Sequence, residues 1–159
     1  MKTLIGDKKS FAIEYQVNTI RPYMMGYACL WIDNLPFGNF EEEGMLSTFQ
    51  HGLACMVSYI DKMESSKLKE AMEKNMDLFE VVCGLDDNEH YIFSLDETTD
   101  SFVAFIFKDG QNLKIFWRLY EPRASEFPNY PKGPFLKSVP VETFIKVVKE
   151  AGAYLSTFK

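Results

Sequence analysis

Several things are scarce in this sequence. There are two histidines and three cysteines in 159 residues. The cysteines (Cys29, Cys55, Cys83) are odd in number, widely spaced and free of any CxxC pair, so neither a disulfide framework nor a zinc knuckle is expected. Each lies in an apolar stretch, which predicts three buried free thiols. No apolar run approaches the roughly 18 residues that a membrane span needs. The first ten residues are charged and lack the apolar segment of a secretory signal, so a cytoplasmic protein is expected. Nucleophile-elbow, zincin, P-loop and dinucleotide-fingerprint motifs are all missing. The acids at 86–89 lack the alternating ligands and central glycine of a calcium loop. His51 and Cys55 share a helical face at i, i+4, but no further ligand has the right spacing, so no metal and no cofactor are expected.

Bases are missing where acids are plentiful. Residues 22–107 hold sixteen acids and four bases, and all four bases fall between Lys62 and Lys74. Windows 22–61 and 75–107 contain no Lys or Arg. The flanks are basic, which leaves the chain at −6 overall. A middle region at −12 would repel phosphate backbones, so no nucleic-acid partner is expected. An acidic surface can simply confer solubility; it can also steer a basic partner and raise its association rate.

The remaining composition is that of a globular chain, 47% apolar and 15% aromatic, long enough to bury a core unaided. Residues 11–17 alternate apolar and polar, as in a half-buried strand. Residues 24–32 are nearly all apolar, as in a central strand covered on both faces. A turn is expected at Asn34–Gly38 and a short third strand at 37–41, completing a meander over 10–41. Ser47 and Gln50 have capping-box spacing ahead of a helical stripe from Phe49 to Met63. A second helix is expected from Ser66 to Val82, with Gly84 as its C′ residue. Strands are predicted at 90–95, 101–107 and 113–120, the last two joined through Asp109-Gly110. Residues 121–140 hold five of the seven prolines and read as an irregular crossing or an interaction arm. Pro140 sits well for the start of a final helix carrying Val141, Phe144, Ile145, Val148 and Leu155. The expected class is α+β: one domain over 1–159, a largely antiparallel sheet and about three helices.

Within the first forty residues, Ile5-Gly6-Asp7, Phe11-Ala12-Ile13-Glu14-Tyr15, Gly26, Trp31-Ile32 and Gly38 together resemble the opening of immunity protein family 42. Asp33-Asn34 stands where that pattern has an Asn-Gly-like turn. The family belongs to bacterial polymorphic toxin and contact-dependent growth inhibition systems. The resemblance implies a cytoplasmic, non-catalytic protein that neutralises a cognate toxin domain by binding it. It supplies no catalytic residues. It implies a toxin C-terminal domain as partner; the acidic face suits a basic one, such as a nuclease, and the chain itself is expected to be a monomer or homodimer. The acids Glu41, Glu42, Glu43, Asp86, Asp87, Glu89, Asp96, Glu97 and Asp100 are the expected partner face. Trp31, Phe37, Phe40 and Tyr91 are the candidate aromatic anchors beside them. Two alternatives remain open: an adaptor recognising a peptide or regulator through the proline segment, and a small hydrolase using carboxylates or His90.

Overall fold

A computed structural model of the chain describes residues 1–158. Strands β1 (Thr3–Asp7), β2 (Phe11–Thr19), β3 (Met25–Ile32) and β4 (Leu35–Phe37) form one antiparallel sheet in that order, and β5 (Gly44–Met45) also pairs with β3. Helices follow: α1 (Leu46–Ser58), α2 (Ser66–Glu73) and α3 (Leu78–Cys83). A second antiparallel sheet holds β6 (Phe102–Asp109), β7 (Asn112–Leu119) and β8 (Phe135–Pro140), and α4 (Val141–Ser156) ends the chain. The α+β class holds, with two sheets in place of one.

The central position of β3 follows from its sequence, since it is bonded to β2, β4 and β5. Only its inner face is fully covered. Ala28, Leu30 and Ile32 are buried, whereas Tyr27 and Trp31 on the outer face stay partly open. Gly26 is required there: a Cβ would lie 2.0 Å from the Gln16 carbonyl oxygen, where the β2–β3 register shifts. Gly6 has φ +98° at the close of β1, a conformation open to glycine and costly for other residues. The tight turn into β4 is made by Asp33 and Asn34, both at positive φ (48° and 64°), so the type I′ geometry expected of Asn-Gly is kept without glycine. The strand is therefore Leu35–Phe37, not a strand over 37–41 after a turn at 34–38.

The main core lies between the first sheet, the second sheet, α1 and α4. Phe11, Ile13 and Tyr15 of β2 meet Phe49 and Leu53 of α1, Phe144 and Val148 of α4, and Ile106, Ile115 and Trp117 of the second sheet. The opposite face of the second sheet is a second core. Phe107 and Phe116 pack there on Leu68, Ala71, Leu78, Phe79 and Val82 of α2 and α3. This face of β7 is mixed, with Lys114 half-buried and Arg118 exposed. Phe116 is buried, and Arg118 stands 4.7 Å from the centre of the Phe79 ring.

Several local expectations fail for identifiable reasons. Ser47 does not cap α1; Met45 occupies the N-cap without a side-chain bond, and Gln50 reaches across the core instead. Its amide accepts from the Tyr15 hydroxyl (2.8 Å) and donates to the Val148 carbonyl (2.9 Å). The second helix is two helices. Asn75 adopts φ +53°, and Asp77 caps α3 through the Phe79 and Glu80 amides. Met76 is consequently expelled from the expected stripe and is 52% exposed. Gly84 has φ −85°, so it is no left-handed C′ residue. Residues 90–95 are not a strand: a 3₁₀ turn over Glu89–Tyr91 leads to a single bridge between Ile92 and Phe105. The proline segment conceals β8, whose residues 135–140 pair with 112–117. Of the three cysteines only Cys29 is buried; Cys55 is intermediate and Cys83 exposed.

Candidate partner interface

The structure divides the predicted acids into two groups. Glu41, Glu42 and Glu43 occupy the loop between β4 and β5. Asp96, Glu97 and Asp100 occupy the loop before β6, and the two loops touch. Asn39 donates its backbone N–H to the Thr98 carbonyl at 2.8 Å. A Cβ on Gly44 would stand 3.2 Å from Asp96 Oδ2. Asp86, Asp87 and Glu89 belong elsewhere, to the turn following α3, where His90 is 4.0 Å from Asp87 and its ring lies beside Tyr59. One contiguous acidic surface is therefore built from 41–43 and 96–100 only.

That surface is held firmly. Asp96 accepts from both the backbone N–H (3.1 Å) and the hydroxyl (2.6 Å) of Thr98, and the Thr99 hydroxyl donates to the Asp96 carbonyl at 2.8 Å. Thr98, Thr99 and Ser101 are buried beneath it. Burial raises the Asp96 carboxyl above the ordinary aspartate range, the Thr98 bonds oppose this, and the charges of Glu97 and Asp100 add to it. Asp96 is thus a brace, while Glu97 and Asp100 point outward and are exposed. In the other loop the Glu41 amide is tied to the Asn39 side chain, and Glu43 accepts from Asn18 at 3.0 Å. Arg123, from the proline segment, pairs with Glu126 at 3.0 Å, and that bond, with the fields of Glu42 and Asp100, raises its pKa.

The four predicted anchors are all engaged by the chain itself. Phe37 is fully buried against Phe93, Phe102 and Trp117, so it serves the core. Trp31 lies on the outer face of the first sheet, donating to Glu14 at 2.8 Å, with the Lys8 ammonium 3.6 Å from its ring centre. Phe40 rests beside Tyr27 and under Lys2, 4.1 Å away. Trp31 and Phe40 flank a shallow groove of about 620 Å³. Tyr91 ties its hydroxyl to the Glu64 carbonyl at 3.2 Å, on the second-core side.

The proline segment is structural. Phe127 and Tyr130 pack on Phe102 with centroids 5.6 and 5.5 Å away. Tyr130 accepts from the Trp117 indole N–H (3.0 Å) and donates to the Pro36 carbonyl, joining the second sheet to β4. Burial pushes the Tyr130 hydroxyl up to about 12, against the lowering effect of the Trp117 bond. Removing this segment would dismantle the junction between the sheets, so it is not a detachable arm.

His51 and Cys55 are 3.3 Å apart on α1, and among the described residues no group of three or more His, Cys, Asp or Glu could hold a metal ion. No helix among the described residues is long and apolar enough to cross a membrane.

Fold and surface together define a small α+β protein that presents a rigid acidic edge. In solved structures the same architecture occurs in CdiI from Burkholderia dolosa AUO158. Its crystal structure aligns at a TM-score of 0.70 with 14% identity, over 96% of this chain and 99% of that one. At that identity the likeness concerns the fold. No curated protein matches by sequence. The model of the immunity protein 42 family matches residues 1–154, and the chain belongs to that family. It is a toxin-neutralising immunity protein.

Proposed function

We propose that this immunity protein neutralises a basic toxin domain by stoichiometric binding through its acidic edge, Glu41–Glu43 with Glu97 and Asp100. The contact between the two acidic loops carries this reading, because it concentrates five carboxylates on one braced surface. A fixed array of like charge steers an oppositely charged partner and speeds its docking. Speed suits an inhibitor that must engage a toxin before the toxin acts. Family membership supports binding as the means of action; the acids serve as electrostatic contacts and not as acid–base catalysts. Asp86, Asp87 and Glu89 contribute to the long-range field from outside this edge. This reading predicts a toxin domain encoded directly upstream of the gene, and that domain is the partner to test. Stopped-flow association of the two proteins should slow by about tenfold or more at low salt when Glu41, Glu42 and Glu43 become lysine. An unchanged rate would remove this edge from the interface.

A further inference from the structure

Beside the acidic edge lies a feature that the charge pattern does not reveal. The β2–β3 connection, residues 20–24, exposes two large apolar side chains: Ile20 at 46% and Tyr23 at 62%. Among the described residues the Tyr23 ring has no aromatic neighbour and its hydroxyl no hydrogen-bond partner. Every aromatic expected to serve as an anchor is instead buried, stacked under a lysine or tied to a backbone carbonyl.

This tip is physically joined to the acidic edge. Asn18, at the end of β2, bonds Glu43, and the Leu46 amide donates to the Met24 carbonyl at 3.0 Å. Met25 pairs with Met45 across β3 and β5, so the root of the tip and the acidic loop share one sheet. An exposed aromatic and an exposed aliphatic thus rise from the same end of the sheet as the loop of Glu41, Glu42 and Glu43, with Arg21 the one base in the tip. Productive interfaces have this anatomy: an apolar anchor that becomes desolvated, with a charged rim.

From this arrangement we infer that Tyr23 and Ile20 are the apolar anchor of the interface, entering a recess on the basic toxin domain while the adjacent carboxylates meet the bases that surround it. The inference rests on the proposed toxin-binding reading. It assigns different jobs to the two features. The carboxylates govern how fast the complex forms, and the tip governs how slowly it comes apart, because short-range desolvated packing acts mainly on dissociation. The occupant is a basic protein domain on grounds of charge: residues 22–61 hold no Lys or Arg, so a cationic rim meets carboxylates and no like charge from that stretch.

The test uses the full chain and the upstream-encoded toxin domain in surface plasmon resonance. Tyr23→Ala and Ile20→Ser alter exposed positions, and circular dichroism melts verify that both variants fold. The expected result is dissociation faster by about 30-fold for Tyr23→Ala and by several-fold for Ile20→Ser, with association rates nearly unchanged. Tyr23→Phe should keep most of the affinity, since the ring is the anchor. Release within about twofold of wild type for both truncations would overturn the inference while leaving the toxin-binding reading intact. Wild-type protein that fails to bind the toxin domain would overturn the reading and the inference with it. Self-association in analytical ultracentrifugation that Tyr23→Ala abolishes, with toxin release unaffected, would assign the tip to a second copy and also overturn the inference.

Discussion

Replacing Tyr130 by phenylalanine removes one oxygen atom and, on this account, loosens the junction of the two sheets. The hydroxyl is both acceptor for the Trp117 indole and donor to the Pro36 carbonyl. Trp117 is fully buried, so its N–H would find no water to replace the lost partner. Leaving a buried donor unsatisfied costs about 1–3 kcal/mol, and the second bond adds about 1 kcal/mol, for a total of about 3 kcal/mol. The ring stays, so its packing on Phe102 and Phe135 is retained. In a domain of this size about 3 kcal/mol lowers the melting temperature by ~9 °C. Thermal and urea melts of wild type, Tyr130→Phe, Trp117→Phe and the double variant form a cycle that isolates the shared bond. The coupling should be at least about 1 kcal/mol, with the double variant milder than the sum of the singles. A Tyr130→Phe melt within about 2 °C of wild type would refute the reasoning. It would mean the proline segment is held by its rings alone.

Other outcomes follow from the same geometry. Asp96→Asn should stabilise the protein at neutral pH. The folded carboxyl is raised above its unfolded value, so the wild type loses stability as pH climbs through the folded pKa; the difference between the two proteins should shrink below about pH 4, near the unfolded value. Asn75→Ala should cost about 1 kcal/mol in a urea titration and Asn75→Gly little, because that residue breaks the helical run at φ +53°. Asp77→Ala should cost about 1 kcal/mol by removing the cap of α3.

The sequence discloses what short-range pattern controls. The alternation of 11–17, the apolar run of 24–32 and the final helix all became elements where expected, because one face of each is buried in the main core. The glycines of the resembling block are legible for a related reason: Gly6 and Gly26 meet backbone constraints that only glycine meets. Elements fixed by distant contacts were not legible. Strand β8 lies among prolines, and its pairing with β7 depends on residues 18 to 28 positions away. The break between α2 and α3 was hidden because Met72, Met76 and Phe79 keep helical spacing through a left-handed Asn75. Gln50 resembled a cap because its real partners, Tyr15 and Val148, are far off in the chain. As for the proposed site, charge counting singles out the acids, but only the fold shows that the loops of 41–43 and 96–100 adjoin. Nor does the sequence show how the aromatics beside the acids are placed: Phe37 is buried in the core, and Trp31, Phe40 and Tyr91 are engaged by neighbours in the chain. Tyr23 lies in a connection that the pattern leaves unmarked.

The most direct test of the central claim is calorimetric titration of this protein with the upstream-encoded toxin domain at two salt concentrations. A stoichiometric complex with nanomolar or tighter affinity that weakens as salt rises is the predicted result. Tight binding indifferent to salt would contradict the acidic edge as the guiding surface, and an absence of binding would contradict the proposed inhibition of that domain.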